Sequence, residues 1–161
     1  MSTRVGIGYD SHRFAAGRPL RLGGHTIPHT HGLVGHSDGD AVLHAITDAI
    51  LGAAALGDIG SFFPDDDPRW KGADSAGFVK EAVDAAKAGG FRVHQVDVTI
   101  LAERPKLASH IGAMRAATAR ALGVPMEQVS IKAKTNEGMG WVGKGEGIGT
   151  IAVVTLHEAA G

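Results

Sequence analysis

Hydrophobic residues recur along the chain with periods that predict both strands and helices. Residues 5–9 form a short apolar run typical of a strand, and residues 91–101 alternate apolar and polar side chains as a half-buried strand does. Residues 41–56 have helical periodicity, and this helix should begin near Ser37 or Asp38 as its N-cap. The other predicted elements are a hairpin around Gly23-Gly24, a loop over 30–35, helices over 74–87 and from Pro105 to 122, and strands over 129–133 and 148–156.

The order of these elements predicts an α+β fold. Two strand–helix–strand passages favour a ferredoxin-like two-layer sandwich, with helices on one face of a mixed sheet. The 161 residues are enough for one domain, 1–161, with a core that needs no disulfide. The segment 57–70 is rich in Pro and Asp and is too irregular for a helix.

Composition excludes several classes of function. The chain has no cysteine, so any zinc must be held by His and carboxylate side chains. The formal net charge is −1 and basic residues are scattered, which argues against nucleic-acid binding. No apolar run approaches the roughly 20 residues that span a bilayer, and no basic-then-apolar signal region precedes the first strand. We therefore expect a cytoplasmic protein.

Asp10, His12 and His44 form a candidate catalytic zinc site. Asp10 and His12 are two residues apart at the end of the first strand, so their side chains leave the same face. With His44 from the following helix they supply three ligands and leave a fourth tetrahedral position open for chemistry. Taken alone, an Asp-x-His pair is as readily a turn cap, and a histidine among apolar residues is usually a satisfied core residue.

Two other polar groups have open interpretations. Asp40, His44 and Asp48 recur every fourth residue, so either carboxylate could orient the imidazole. Alternatively, Asp40 interacts with the helix dipole in the first turn and Asp48 is a solvated polar residue. Asp65 and its two following aspartates are either a solvated loop or a lid that meets polar groups of a substrate.

Five blocks together resemble the 2-C-methyl-D-erythritol 2,4-cyclodiphosphate synthase family. They are GIGYDSHRF (6–14), LGGHTIP (22–28), GHSDGDAVLHAITDAILGAAALGDIGSFFPDDDP (35–68), DVTILAERPKL (97–107) and IKAKTNEGMGWVGKGEGI (131–148). The resemblance covers nearly the whole chain. It implies that the 2-phosphate of 4-diphosphocytidyl-2-C-methyl-D-erythritol 2-phosphate attacks the β-phosphorus of the same molecule. The cyclic diphosphate forms and CMP leaves, in the non-mevalonate isoprenoid pathway.

The resemblance also implies roles for residues at matching positions. Asp10, His12 and His44 would hold Zn²⁺, or a similar divalent cation, as a Lewis acid. Glu137 would hold Mg²⁺ or Mn²⁺ against the diphosphate. His36 and Thr135 would be catalytic by stabilising the transition state. The implied substrate-binding positions are Asp10, Ser11, His12, His36, Ser37, Asp58, Ile59, Gly60, Phe63, Pro64, Asp65, Asp66, Asp67, Ala102, Glu103, Arg104, Pro105, Lys106, Leu107, Ala108, Lys134, Thr135, Asn136, Glu137, Trp141 and Lys144.

Members of this family are homotrimers whose sheets face a threefold axis and whose active sites lie between subunits. The resemblance therefore implies self-association, with an isoprenoid diphosphate as a candidate occupant of the central channel. Many relatives carry Arg and Phe where this chain has Lys144 and Trp141. Because Lys lacks the bidentate fork of Arg, binding of an isoprenoid diphosphate is left open.

Two competing functions remain. The same metal ligands would suit a zinc phosphohydrolase of nucleoside diphosphate derivatives, which predicts an open-chain product. A binding protein with structural metals, serving as an isoprenoid sensor, predicts metal-dependent stability without turnover. An open zinc position argues against a purely structural metal.

Overall fold

The computed structural model describes residues 2–160. Its strands are β1 (Thr3–Ala16), β2 (Leu20–Leu22), β3 (His25–Ile27), β4 (His31–Leu33), β5 (Phe91–Leu101), β6 (Val129–Lys134) and β7 (Gly147–Glu158). Its α-helices are α1 (Ala41–Ala53), α2 (Ile59–Phe62), α3 (Ser75–Ala88), α4 (Ile111–Leu122) and α5 (Gly140–Gly143). Short 3₁₀ turns cover Pro68–Trp70, Ala108–His110 and Met126–Gln128.

Five strands form one mixed sheet in the order β4-β1-β7-β5-β6, and β2 and β3 form a separate hairpin. Strand β7 is antiparallel to both β1 and β5, while β5 and β6 are parallel. The predicted α+β class is confirmed. The ferredoxin-like topology is wrong. Without the three-residue edge strand β4, the main sheet follows the chain order β-α-β-α-β-β and β7 inserts between β1 and β5, whereas a ferredoxin-like sheet follows β-α-β-β-α-β.

The long helices pack on one face of this sheet, as predicted. Helix α1 contacts β1, β7 and β5, and α4 packs on β6 and on α3. Glycine allows the closest approach: a Cβ added to Gly6 would lie 2.0 Å from the carbonyl oxygen of Ala49, and one on Gly8 would lie 1.9 Å from that of Ala45. The main chains of α1 and β1 are therefore in direct contact.

The opposite face of the sheet is apolar and exposed. Val5, Ile7 and Tyr9 of β1 are 65%, 68% and 56% exposed, and Ile151 and Val153 of β7 lie beside them in the sheet. Side chains of a β-strand alternate between the two faces of the sheet. Gly6 and Gly8 face α1, so Val5, Ile7 and Tyr9, which alternate with them, point to the opposite face. Within residues 2–160 no helix is long and apolar enough to cross a membrane.

Several element boundaries differ from the predictions. The loop over 30–35 contains β4, which pairs with the end of a longer β1. The N-cap of α1 is Asp40 rather than Ser37 or Asp38, because its carboxylate accepts hydrogen bonds from the N–H groups of Leu43, Gly23 and Gly24. The segment 57–70, predicted to lack helix, contains α2 and a 3₁₀ turn. Helix α4 starts at Ile111, after a cis Arg104–Pro105 bond and a 3₁₀ turn.

Candidate active site

The close contact between α1 and β1 brings the three predicted zinc ligands together. Asp10 and His12 continue the side of β1 that carries Gly6 and Gly8, at the end nearest the start of α1. His44 lies in the first turns of α1 and points to the same place. Asp10, His12 and His44 are thus a candidate metal-binding group in the structure.

The distances between the ligand atoms suit a small cation. His12 Nε2 lies 2.6 Å from Asp10 Oδ2, His44 Nδ1 lies 3.3 Å from the same oxygen, and the two nitrogens are 3.2 Å apart. Zinc bonds of about 2.0–2.1 Å in a tetrahedron place neighbouring ligand atoms about 3.3 Å apart. The two separations that involve His44 match this distance, and the separation between Asp10 and His12 is shorter.

Hydrogen bonds on the far side of each imidazole direct its lone pair to the site. His12 Nδ1 donates to the carbonyl oxygen of Val34 at 2.6 Å, so its Nε2 faces Asp10. His44 Nε2 lies 2.8 Å from Ser75 Oγ and 2.9 Å from Ser37 Oγ, which leaves its Nδ1 for the site. Metal-binding histidines commonly have such a partner on the second nitrogen.

Two observations show that the group fits a metal ion. Asp10 Oδ2 is buried without a hydrogen-bond partner, and two imidazole nitrogens point at it and at each other. A cation between them would satisfy all three atoms. A proton is the alternative: burial lowers the pKa of His12, but the Asp10 carboxylate outweighs this and holds that pKa above its ordinary value. Metal and proton therefore compete for the site.

Neither carboxylate on the helix face orients His44. Asp40 caps α1, and Asp48 accepts a hydrogen bond from the backbone N–H of Ile59 at 3.0 Å. The idea that one of them positions the imidazole is wrong, because both oxygens of Asp40 face backbone N–H groups and Asp48 holds the start of α2. Ser37 and Ser75 take that place.

The ligands open into a cavity of about 320 Å³. Its lining residues are Asp10, His12, Gly35, His36, Ser37, His44, Ile59, Gly60, Phe63, Asp65, Trp70 and Phe78. Phe63 and Phe78 stack with ring centroids 4.4 Å apart, and Trp70 meets both edge-on. This apolar wall lowers the local dielectric constant beside the ligands, which strengthens electrostatic interactions there.

The aspartate loop contributes to the cavity unequally. Asp65 lines it, whereas the carboxylate of Asp67 binds Arg69 and holds the following 3₁₀ turn. The hydrogen bond from Arg69 lowers the pKa of Asp67. His36 Nε2 lies 3.1 Å from the backbone oxygen of Asp67 and so ties the loop to the cavity rim. Among the other predicted substrate-binding positions of this segment, Asp58 caps α2, and Pro64 and Asp66 are exposed outside the lining.

Predicted substrate-binding positions within 102–108 and at 134–135 line a separate cavity of about 330 Å³. It is lined by Ala102, Glu103, Pro105, Lys106, Leu107, Ala108, Ile111, Ala133, Lys134 and Thr135. Within this chain Thr135 and His36 therefore line different cavities. Glu137 is exposed in a turn held by Glu103, which accepts a hydrogen bond from the backbone N–H of Asn136 at 2.6 Å.

The remaining predicted positions lie near these two cavities. Ser11 and Trp141 line a third cavity of about 190 Å³ beside His12. Arg104 and Lys144 line a fourth, of about 580 Å³, which also includes Lys106.

Sequence reasoning missed three residues around the metal ligands. Phe78 and Trp70 line the cavity, and Ser75 bonds to His44. Helical periodicity marks Phe78 only as a core residue, and no local signal separates Ser75 from other residues at a helix start.

Comparisons with known proteins identify the family. The YgbB family profile matches residues 3–157. The 2-C-methyl-D-erythritol 2,4-cyclodiphosphate synthase of Burkholderia thailandensis is 55% identical over 161 residues, 99% of each chain, and that of Burkholderia mallei is 54% identical over the same extent.

Solved structures agree. A 2C-methyl-D-erythritol-2,4-cyclodiphosphate synthase in a CDP-bound form aligns with a TM-score of 0.88 and 42% identity, covering 96% of this chain and 100% of that one. The bifunctional IspDF from Campylobacter jejuni aligns with a TM-score of 0.94 and 40% identity over 98% of this chain, which spans 42% of that longer protein. The resemblance inferred from the motifs is confirmed, and the chain belongs to the YgbB family together with the 2-C-methyl-D-erythritol 2,4-cyclodiphosphate synthases.

Proposed function

We propose that this chain converts 4-diphosphocytidyl-2-C-methyl-D-erythritol 2-phosphate to 2-C-methyl-D-erythritol 2,4-cyclodiphosphate and CMP. An oxygen of the 2-phosphate forms a bond to the β-phosphorus, and the bond from that phosphorus to the oxygen of CMP breaks. Both reacting groups belong to one substrate, so the protein folds the substrate into an attacking geometry and neutralises its charge. The observation that carries the proposal is the convergence of Asp10, His12 and His44 at the wall of a cavity.

Zn²⁺ is the proposed occupant of this group, and when bound it supplies a Lewis acid for a phosphate oxygen. The chain's own residues would then orient the substrate. His36 and Ser37 line the same cavity as the metal ligands, where His36 could donate a hydrogen bond to a phosphoryl oxygen. Ile59, Gly60 and Asp65 would enclose the methylerythritol unit, and the aromatic wall would exclude water.

The cavity over 102–108 and 133–135 is the proposed cytidine site. Its main-chain groups would read the cytosine edge, and the Lys106 ammonium would meet the diphosphate as a point charge. Thr135 would donate to the transferring phosphoryl group. Glu137, exposed beside this cavity, is the proposed ligand of Mg²⁺ or Mn²⁺, metals that prefer oxygen donors and retain several waters.

We further propose a homotrimer, with residues 1–161 acting as one domain per subunit and the sheets facing the threefold axis. The apolar sheet face around Ile7 and Tyr9 is too exposed for an isolated protomer, and two further copies of the chain would cover it. The trimer would also place the cytidine cavity of one subunit against the metal cavity of its neighbour, so that His36 and Thr135 could meet one substrate. A cytoplasmic location, and an isoprenoid diphosphate bound near Lys144 in the channel, stay predictions.

The reaction is tested by incubating the purified protein with the proposed substrate, Zn²⁺ and Mg²⁺ while recording phosphorus NMR spectra. We expect paired cyclic-diphosphate resonances and free CMP. His44→Ala should abolish both, whereas His94→Ala, a histidine stacked on His157 away from the cavity, should leave them unchanged. Open-chain phosphates would instead establish a hydrolase, and metal binding without turnover would favour a binding protein.

Subunit association is tested by light scattering after size-exclusion chromatography. The wild type should have the mass of three chains. Ile7→Lys should yield smaller species because it places a charge on the apolar face, while Glu81→Lys on the exposed side of α3 should not. A trimer that persists in Ile7→Lys would refute the proposed sheet-to-sheet contact.

A further inference from the structure

The environment of His44 contains a carboxylate that reaches the imidazole through a hydroxyl group. Ser75 Oγ donates a hydrogen bond to Asp38 Oδ1 and lies 2.8 Å from His44 Nε2. An ionised carboxylate only accepts hydrogen bonds, so the hydrogen of the Ser75 hydroxyl is directed to Asp38. The lone pairs of Ser75 Oγ then face His44, which must donate from Nε2.

Asp38 is itself held in place by several donors. Its Oδ2 accepts the backbone N–H of Ser75 at 3.0 Å, its Oδ1 accepts that of Asp40 at 3.1 Å, and the Arg21 guanidinium lies 3.6 Å away. These contacts fix the direction of the carboxylate. The start of α3, where Ser75 is fully buried, is thereby bound to the segment that precedes α1.

Ser37 does not impose the same direction. Its hydroxyl lies 2.9 Å from His44 Nε2 and 3.5 Å from Ser75 Oγ. Because the Ser75 hydrogen is directed to Asp38, only Ser37 could donate in the contact between the two serines, and 3.5 Å is too long for that contact to fix the Ser37 hydroxyl. Ser75 is therefore the hydroxyl whose orientation is fixed by a charge.

We propose that Asp38 and Ser75 are positioning residues that fix the tautomer of His44, with hydrogen on Nε2 and the lone pair of Nδ1 available to the metal. This inference rests on the proposed metal-dependent function. It assigns to two residues outside the ligand set the task of keeping the third ligand ready before the metal arrives. Removal of such a partner typically lowers metal affinity about 10–100-fold.

The first test measures the zinc Kd of the full-length protein by competition with a chromophoric chelator. Ser75→Ala should raise the Kd by about 10–100-fold. Asp74→Asn is the matched control: it alters the exposed N-cap carboxylate of α3, which bonds the backbone N–H of Ala76 and does not contact His44. Its zinc Kd should stay within about twofold of wild type, while thermal unfolding of the metal-free proteins records purely structural effects.

A double-mutant cycle tests whether Asp38 acts through Ser75. Asp38→Asn should raise the zinc Kd in the wild-type background but have little further effect in Ser75→Ala. Additive losses would overturn the relay, and so would a Ser75→Ala protein that binds zinc as tightly as wild type. If wild type itself binds no zinc, the proposed metal site fails, which is a different outcome.

The tautomer can be observed without any change at Ser75. Nitrogen NMR of the zinc-loaded, 15N-histidine-labelled wild type should show His44 with hydrogen on Nε2 and metal on Nδ1, with assignment by comparison with His44→Ala. The reverse arrangement would overturn the proposal even if Ser75→Ala failed to fold.

Discussion

Gly8→Ala should loosen the contact that brings the metal ligands together. A Cβ at this position would lie 1.9 Å from the carbonyl oxygen of Ala45 and 2.9 Å from the backbone nitrogen of Ala49. These are backbone atoms of α1, so no side-chain rotation can relieve the contact. Either the helix moves away from β1 or the strand moves away from the helix.

The required displacement can be worked from the structure. Real Cβ atoms essentially never approach another heavy atom closer than 3.0 Å, so the two main chains must separate by at least about 1.1 Å along this contact. Overpacking of this kind costs about 1–3 kcal/mol. For a domain of this length that corresponds to a fall in Tm of about 2–12 °C. His44 lies one residue before Ala45, and metal sites tolerate only about 0.2 Å in ligand distance, so zinc affinity should fall as well.

Circular dichroism melts in the presence of EDTA measure the stability effect without metal, and a zinc titration measures the site. Gly77→Ala is the matched control, because a Cβ on this α3 glycine meets nothing within 4 Å. It should stabilise the protein by about 0.5–1 kcal/mol. The reasoning would be refuted if Gly8→Ala melted at or above the wild-type Tm and bound zinc normally.

Three further changes test other contacts. Asp40→Ala removes the acceptor of three backbone N–H groups and should cost about 3–5 kcal/mol in urea unfolding, against about 1 kcal/mol for the exposed cap in Asp74→Ala. Zinc at 100 times its Kd should raise the free energy of unfolding by about 2.7 kcal/mol, and Asp10→Asn should abolish this gain. In a Trp141→Phe background, fluorescence of Trp70 should change when the substrate binds, because Trp70 lines the metal cavity; an unchanged spectrum at saturation would contradict that placement.

Sequence patterns correctly predicted the elements whose bounds depend on residues within or next to the element itself. Strand β5 has the predicted bounds because apolar and polar residues alternate along most of it; the one interruption in its interior, at His94 and Gln95, coincides with a register shift in its pairing with β7. Helix α3 starts within one residue of the predicted position, because the Asp74 carboxylate caps it. Strand β4 was missed because its three residues are held by pairing with β1, and no periodicity can be read from so short a segment. The strand order could not be predicted either, because it depends on β7 inserting between β1 and β5, which lie far from it in the sequence.

The site shows the same division between local and tertiary information. Asp10 and His12 could be placed together because a strand has a period of two. His44 could be added because it is an imidazole among apolar residues of the next predicted helix and completes a set of three ligands. The serine that orients His44 comes from a helix that starts 31 residues later, so only the folded chain reveals it. Ser37 and Asp38 were predicted as caps for α1, but their side chains face His44 and Ser75, and Asp40 is left to cap the helix. A helix start needs only one capping side chain, so a cluster of several polar residues there is a signal of function. The residue that caps the helix is fixed by the backbone, and the other members of the cluster are free to contact the site.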